Sequence, residues 1–149
     1  MRAPVHIEMS LNSRVDLTNL VHAACDEVCR LAGLDEDGTM NLGLALREAT
    51  VNAMRHGNKL CEKKPVRIAF DLTPTRLSVT IIDQGNGFDF EKEEDPRLPE
   101  NLGKTSGRGI FLMRHFVDDL RFRHIPGEGT AVSLIKKLPR RNGARSSSR

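Results

Sequence analysis

Three polar residues at spacings of four, Glu48, Asn52 and His56, are the first candidates for chemistry in this sequence. Residues four apart lie on one ridge of a helix, so the ridge would present a carboxylate, an amide and an imidazole in line. Asn has a poor helix propensity, and the alanines around Glu48 would let a ligand approach its side chain. The alternative is a solvated helix face that happens to carry these side chains. The spacing alone leaves both interpretations open.

A second group of candidates lies in segment 81–88, which reads Ile-Ile-Asp-Gln-Gly-Asn-Gly-Phe. Asp83 ends an apolar strand and is followed by Gly85 and Gly87. A fixed hydrogen-bond acceptor would therefore stand beside backbone that a flat ligand can approach without meeting a Cβ atom. The Asp83 carboxylate could accept a hydrogen bond from an exocyclic amine. The alternative is an ordinary turn between a strand and a loop.

The third candidate is segment 106–109, Ser-Gly-Arg-Gly, which opens a predicted helix. Exposed N–H groups and the positive end of the helix dipole make such a terminus a phosphate site, although a plain helix start fits the same residues. The preceding Gly103-Lys104-Thr105 lacks the strand and the earlier glycine of a P-loop. We therefore do not predict a P-loop here.

The elements that must position these residues follow from the apolar periodicity. We predict a strand over 6–11, and then a helix with an apolar stripe over 17–31 that is capped by Ser13 and Asp16 and ends near Gly33. A second helix starts within 35–39 and stops at Gly57. Alternating residues predict a hairpin over 66–72 and 77–81, and a long mobile loop follows over 83–106. A helix over 108–117 and strands over 120–124 and 130–134 complete the chain.

The order of these elements favours an α+β fold in one domain. We predict a two-layer α/β sandwich, in which a mixed, mainly antiparallel sheet carries the helices on one face. The regular β-α-β alternation that a Rossmann fold needs is absent. A chain of 149 residues has the usual size of a single domain.

Composition and charge limit the classes of function. The chain has 23 Lys and Arg against 20 Asp and Glu, a net charge of +3. Six basic residues with no acid among them lie near the end of the chain, namely Lys136, Lys137, Arg140, Arg141, Arg145 and Arg149. Because the excess charge lies in this tail, and Trp and Tyr are absent, we expect no direct nucleic-acid binding. The sequence has no long apolar run and no secretory signal, so we expect no membrane association and a cytoplasmic location. Cys25 and Cys29 are expected to be buried on a helix rather than to bind a metal.

Together, the three candidate segments resemble the nucleotide-binding boxes of the gyrase, histidine-kinase and MutL (GHKL) ATPase superfamily. Segment 48–58 resembles the N box, 83–88 the G1 box and 107–110 the G2 box, and their order and separations agree over roughly 41–134. A short chain with one such domain is similar to the anti-sigma factor serine-kinase family of RsbW type. The resemblance implies a Bergerat-type ATPase domain over 1–138, followed by a basic, disordered tail over 139–149.

The resemblance also implies a role for each candidate residue. Glu48 would be the general base for an attacking serine hydroxyl, and Asn52 would hold the Mg²⁺ that bridges the ATP phosphates. Asp83 would hold the adenine amine, with support from Thr130. The other residues implied to lie around the nucleotide are His56, Gly85, Gly87, Lys104, Thr105, Gly107, Arg108 and Gly109. The loop over 89–106 would be a lid that closes over the phosphates.

The function that the resemblance implies is that of an ATP-dependent protein serine/threonine kinase. It would phosphorylate a STAS-type anti-sigma factor antagonist on Ser or Thr, sequester a sigma factor and form a homodimer. One position departs from the family pattern, because Thr105, preceded by Lys104, stands where members often have Arg. Lys is a point charge rather than a bidentate fork. The alternative is therefore an ATP-binding, partner-switching module with little or no kinase activity.

Overall fold

In the part of the chain that the structure describes, a five-stranded sheet forms one layer and three α-helices form the other. The fold is given by a computed structural model that describes residues 3–85 and 105–139, without the side chains of 105–108. The strands are β1 (Val5–Leu11), β2 (Val66–Leu72), β3 (Arg76–Asp83), β4 (Asp119–Ile125) and β5 (Gly129–Lys137). They lie in the order β1-β2-β3-β5-β4, and each of these pairings is antiparallel. The predicted α+β sandwich is confirmed, but the sheet, predicted to be mixed and mainly antiparallel, is antiparallel in every described pairing.

The alternation along the strands divides the sheet into a core face and an open face. In β2 and β3 every second residue is buried: Val66, Ile68, Phe70, Leu72, Leu77, Val79, Ile81 and Asp83. The helices pack on this face, and their apolar stripes complete the core. The residues between them point to the open face, as the period of two requires. The hairpin predicted over 66–81 forms with β2 and β3 in register.

Helices α1 (Thr18–Ala32) and α2 (Glu36–Asn52) follow the predicted apolar stripes. Helix α1 ends at Gly33, whose φ of 76° is the left-handed conformation that glycine adopts readily. Asp35 caps the N-terminus of α2, and its side chain accepts the Gly38 N–H at 2.7 Å. Cys25 and Cys29 are both buried, as expected, with their sulfur atoms 3.9 Å apart.

The predicted cap of α1 by Ser13 and Asp16 is wrong. A 3-10 turn over Val15–Leu17 precedes the helix, and no side chain caps either element. The Ser13 hydroxyl instead donates to the Lys64 carbonyl at 2.6 Å, across 51 residues of sequence. A tertiary hydrogen bond therefore uses the group that the local pattern assigned to the helix terminus.

Helix α3 (Thr105–Phe116) begins three residues earlier than the predicted start at 108. Gly107 and Gly109 therefore lie within its first turns rather than before them. The part of the predicted loop and lid over 86–104, and the predicted tail from 140 onward, lie outside the described residues. Over the ranges 3–85 and 105–139, no helix combines the length and apolar character that a membrane crossing requires.

Candidate functional site

Glu48 and Asn52 lie one turn apart on α2, where this helix packs against α3. Both side chains are half-buried. A Cβ atom built on Gly109 of α3 would lie 3.0 Å from Glu48 Oε2 and 3.2 Å from Asn52 Nδ2. The ends of both side chains therefore converge on Gly109, the fifth residue of α3 and one turn after the helix begins, at a position where glycine leaves them room.

This convergence combines two kinds of group that bind phosphates and hard cations. The first N–H groups of a helix have no partner within it, and the positive end of the helix dipole lies there. A carboxylate and an amide oxygen are hard donors of the kind that Mg²⁺ shares with the phosphates of a nucleotide. The donor set at Glu48, Asn52 and the start of α3 thus fits a magnesium-bound phosphate group.

His56 does not continue the ridge of Glu48 and Asn52. The last turn of the helical segment, Ala53–Gly57, is a π-helical turn in which the Asn58 N–H donates to the Ala53 carbonyl at 2.8 Å. A π turn is wider than an α turn, so it changes the direction in which the residues after Asn52 point. His56 is exposed. The structure brings together the first two residues of the predicted ridge and leaves the third at the surface.

Asp83 forms a second centre at the end of β3, where three elements approach it closely. Its carboxylate accepts the backbone N–H of Gly85 at 2.8 Å and that of Thr130, its register partner on β5. A Cβ atom on Gly57 would lie 2.4 Å from Asp83 Cγ, and one on Gly129 would lie 1.8 Å from the Asp83 carbonyl oxygen. Residues larger than glycine at 57 and 129 would collide with Asp83. Because both positions are glycine, the π turn can approach the Asp83 carboxylate and β5 can approach the Asp83 backbone.

The buried carboxyl group of Asp83 has a raised pKa, which favours the binding of a further hydrogen-bond donor. Burial raises the pKa of Asp83, and the N–H groups of Gly85 and Thr130 and the nearby charge of His124 offset only part of this rise. Asp83 is only 7% exposed, so its ionised form is poorly solvated. A further donor, such as the exocyclic amine of a purine, would stabilise the charged carboxylate. Perturbed carboxyl groups of this kind are typical of binding sites.

Thr130 and His124 lie next to each other beside this centre. The Thr130 hydroxyl is 3.4 Å from His124 Nδ1, and Thr130 is buried. The register of β3 and β5 places Thr130 beside Asp83, and the support for adenine binding that the resemblance implies for Thr130 stays a prediction. Sequence reasoning missed His124, which it assigned only to a strand. The register of β4 on β5, which pairs His124 with Thr130, is what brings the imidazole close.

Asn58 is a buried polar residue to which the sequence analysis gave no role. Its Nδ2 donates to the carbonyls of Lys64 and Pro65 at 2.9 and 3.2 Å, and its Oδ1 accepts the Gln84 N–H at 2.7 Å. Asn58 is 1% exposed. It therefore fixes the backbone next to Asp83 to the segment that follows the π turn. An Asn between glycine and lysine is a common turn residue, so its burial gave no signal in the sequence.

The structure describes only some of the remaining predicted site residues. Gly107 lies in the first turn of α3, and Gly85 follows the end of β3. Gly87 and Lys104 lie outside the described residues, and the side chains of Thr105 and Arg108 are not described. Their roles around a nucleotide stay predictions.

Comparison with known proteins agrees with this geometry. Residues 11–136 match the family described as the histidine kinase-like ATPase domain. The chain is 38% identical to the anti-sigma F factor of Pasteuria penetrans over 94 residues, which are 61% of this chain and 63% of that protein. It is 27% identical to the serine-protein kinase RsbW of Bacillus subtilis (strain 168) over 146 residues, which are 94% of this chain and 88% of the relative.

A solved structure shares the fold. The crystal structure of the RsbU and RsbW domains of Rv1364c from Mycobacterium tuberculosis superimposes with a TM-score of 0.64 at 22% identity, covering 92% of this chain and 33% of that one. At this identity the likeness concerns the fold alone. The family match spans both centres of the site, Glu48 with Asn52 and Asp83 with Thr130. The chain belongs to the histidine kinase-like ATPase domain family.

Proposed function

We propose that this chain is an ATP-dependent protein serine/threonine kinase that also acts as an anti-sigma factor. It would phosphorylate an antagonist protein and sequester a sigma factor, as the names of the relatives in Pasteuria penetrans and Bacillus subtilis suggest. The observation that carries the proposal is the convergence of Glu48 and Asn52 on Gly109 at the start of α3. A carboxylate and an amide within one turn of a helix N-terminus suit the transfer of a phosphoryl group.

The two centres suit the two ends of a nucleoside triphosphate. Gly57, which touches Asp83, lies nine residues after Glu48 on one continuous helical segment, which corresponds to about 13 Å at the rise of a helix. Asp83 would accept the exocyclic amine of adenine, and the start of α3 would receive the phosphates. This separation and the chemistry at each end support an adenine nucleotide as the ligand.

Glu48 is proposed as the general base. It would accept the proton of the substrate hydroxyl as the γ-phosphoryl group moves, while the N–H groups at the start of α3 stabilise the charge on the phosphate oxygens. Asn52 would hold Mg²⁺, which supplies charge neutralisation between the phosphates when it is bound. Lys104 and Arg108 are proposed to add positive charge near the phosphates, and Thr105 stands where the family often has Arg.

The partners are also part of the proposal. We propose a STAS-type antagonist with a Ser or Thr acceptor, a sigma factor and a second copy of this chain, acting in the cytoplasm. The chain covers less than two thirds of the anti-sigma F factor that it matches. The partners of that protein are therefore carried over here only as a hypothesis.

Phosphoryl transfer tests the proposal directly. The purified chain is incubated with γ-labelled ATP, Mg²⁺ and a STAS-type antagonist, and acid-stable label on the antagonist is measured. Glu48→Gln is expected to reduce the transfer rate by about 10²- to 10⁴-fold while ATP still binds. Glu36→Gln, an exposed carboxylate at the other end of α2, is the matched control and should keep the wild-type rate.

The result also separates the kinase from its alternative. Transfer that Glu48→Gln leaves unchanged would contradict the role of this base. Tight ATP binding with no transfer by the wild-type chain would favour the partner-switching module without kinase activity. The Thr105 substitution in the family pattern is the sequence feature that keeps this alternative open.

A further inference from the structure

The open face of the sheet, opposite the helices, carries a row of four residues that neither the core nor the nucleotide site uses. Arg67 on β2 pairs with Ile82 on β3, Ile82 pairs with Ala131 on β5, and Ala131 pairs with Arg123 on β4. The row therefore has a guanidinium side chain at each end and two apolar side chains between them. Three strand spacings separate the arginine Cα atoms by about 14 Å.

This row forms the floor and two walls of a cavity of about 690 Å³. Thr80 lines it toward the middle of the sheet, and Ile125 and the β4–β5 turn line its other end. Ile82 is half-buried and Ala131 is 8% exposed, so the side chains of the floor are apolar and lie mostly within the sheet surface. We call this row and its cavity the arginine trough.

The two arginines of the trough are exposed, and within ranges 3–85 and 105–139 neither makes an ion pair or a hydrogen bond. Two other basic residues of the same face already lie beside carboxylates. Arg121 bonds Asp119 at 2.9 Å, and the imidazole of His6 lies between the carboxylates of Glu8 and Asp71. Glu128, in the β4–β5 turn, is the acid among the residues that line the trough. The trough therefore carries an excess of positive charge beside an apolar floor.

We propose that the arginine trough is a docking site for an acidic amphipathic helix of a partner protein. A helix with its side chains is about 10–12 Å across, which fits between guanidinium groups on strands about 14 Å apart. Its apolar stripe would cover Ile82 and Ala131, and Asp or Glu side chains on its flanks would pair with Arg67 and Arg123. Arginine and carboxylate groups match in geometry and form paired hydrogen bonds.

The chemistry of the trough favours a protein helix over nucleic acid. The row offers no aromatic ring on which a base could stack, and its apolar centre has no complement in a phosphate backbone. The trough also lies on the opposite face of the sheet from Glu48 and Asn52. The lining of its cavity extends to Gln84, Gly129 and Thr130, at the edge of the Asp83 centre. Docking in the trough requires neither Glu48 nor phosphoryl transfer, so this inference does not depend on the proposed kinase activity.

Fluorescence anisotropy with the full chain tests the docking site. The probe is a labelled helical peptide of about 18 residues, five helical turns, with a Leu/Ala stripe flanked by Glu. The wild-type chain is expected to bind it, and the double variant Arg67→Glu/Arg123→Glu should weaken binding at least about tenfold. Ile82→Ser, which leaves both arginines in place, should weaken binding several-fold, whereas a purely electrostatic surface would not respond to it. Circular dichroism checks the fold, and Arg67→Gln/Arg123→Gln replaces the double variant if it does not fold.

The matched control is Arg76→Glu, an exposed arginine on β3 of the same face that does not line the trough. It should change the affinity by no more than about twofold. The proposal is overturned if the wild-type chain does not bind, if a peptide with Lys in place of Glu binds equally well, or if Arg76→Glu weakens binding as much as the double variant. Displacement of the peptide by a mixed-sequence oligonucleotide would assign the trough to nucleic acid instead. Dissociation of a dimer by the double variant in sedimentation would assign it to a second copy of this chain.

Discussion

At the scale of single residues, Gly109 leaves room for the side chains of Glu48 and Asn52 but lowers the stability of α3. Glycine within a helix costs about 1 kcal/mol relative to alanine, so Gly109→Ala should keep or raise the stability of the fold. The added methyl group would lie 3.0 Å from Glu48 Oε2 and 3.2 Å from Asn52 Nδ2 and would displace both side chains. We expect ATP affinity to fall by about tenfold, since small misplacements at such sites are costly. Thermal unfolding and titration with a fluorescent ATP analogue measure the two effects.

Gly43→Ala is the matched control for this substitution. Gly43 lies in α2, and a Cβ atom there would meet His22 Cε1 at 3.1 Å, the end of an exposed side chain that can move. The helix should gain similar stability with no change in ATP affinity. Wild-type ATP affinity in Gly109→Ala would contradict the placement of the phosphates at Glu48 and Asn52.

The buried carboxylate of Asp83 predicts a pH dependence of stability. Because burial raises the pKa of Asp83 in the folded chain above its value in the unfolded chain, about 3.9, the folded state binds this proton more tightly. Its contribution to stability is therefore greatest below the unfolded-state pKa and falls as the pH rises through the folded-state pKa. Asp83→Asn should remove this dependence and be at least as stable as the wild type at pH 7 without ligand. Its affinity for adenine nucleotides should fall at least tenfold, because an NH2 donor replaces one of the two carboxylate oxygens and the Gly85 N–H already bonds to one oxygen.

Urea unfolding across a pH series and nucleotide titration measure both effects of Asp83→Asn. Asp37→Asn, an exposed acid in the first turn of α2, is the control. A difference in stability between wild type and Asp83→Asn that stays constant with pH would show that Asp83 does not titrate as described. Unchanged nucleotide affinity would remove Asp83 from the binding site.

At the scale of elements, the sequence predicted the strands and helices with a periodic apolar pattern. It missed the features that depend on contacts between distant segments. The strands and helices α1 and α2 were found because their buried residues recur every two or every three to four positions. The π turn over Ala53–Gly57 has no periodic pattern of its own, so the ridge was extended to His56. Ser13 was assigned to a helix cap from its local pattern. Its actual hydrogen bond, to Lys64, joins segments 51 residues apart, and a local pattern cannot reveal such a bond. The candidate residues Glu48, Asn52 and Asp83 were identified from motifs. The motifs did not show which glycines allow these residues to approach other elements.

Asn58 joins three of these elements and predicts a loss of stability on substitution. Asn58→Ala would remove the acceptor of the Gln84 N–H and the Nδ2 donor to the Lys64 and Pro65 carbonyls, although the Lys64 carbonyl keeps the Ser13 hydroxyl as a donor. Each buried group left unsatisfied costs about 1–3 kcal/mol, and water can rescue part of this, so we expect a loss of about 2–4 kcal/mol. Because Gln84 adjoins Asp83, nucleotide affinity should fall as well.

Denaturant unfolding and nucleotide titration check the role of Asn58, with Asn12→Ala at an exposed position as control. Asn58→Asp keeps the acceptor for the Gln84 N–H and loses both donors. It should therefore recover more nucleotide affinity than stability, relative to Asn58→Ala. Equal losses in the two variants would mean that Asn58 acts only on the fold and not on the position of Asp83.

At the scale of the whole molecule, the sheet and the helical layer each contribute one of the two centres of the site. The sheet holds Asp83 and Thr130 at the ends of β3 and β5, while α2 and α3 hold Glu48, Asn52 and Gly109. Segment 53–58 connects the two centres, because Gly57 contacts Asp83 and Asn58 bonds to Gln84. A ligand that spans both centres would therefore bind only the folded state and would link α2 to the sheet.

This arrangement predicts that ATP with Mg²⁺ stabilises the whole chain. A ligand at about 100 times its dissociation constant adds about 2.7 kcal/mol to the free energy of unfolding. For a domain of this size, each kcal/mol shifts the melting temperature by about 2–4 °C, so we expect a shift of roughly 5–11 °C. Chelation by EDTA should remove much of it, and Asn52→Ala should make the shift nearly independent of Mg²⁺. Asn19→Ala, at an exposed position on α1, should keep the full response. A shift of equal size with and without Mg²⁺ in the wild-type chain would show that the nucleotide binds without the metal at Asn52.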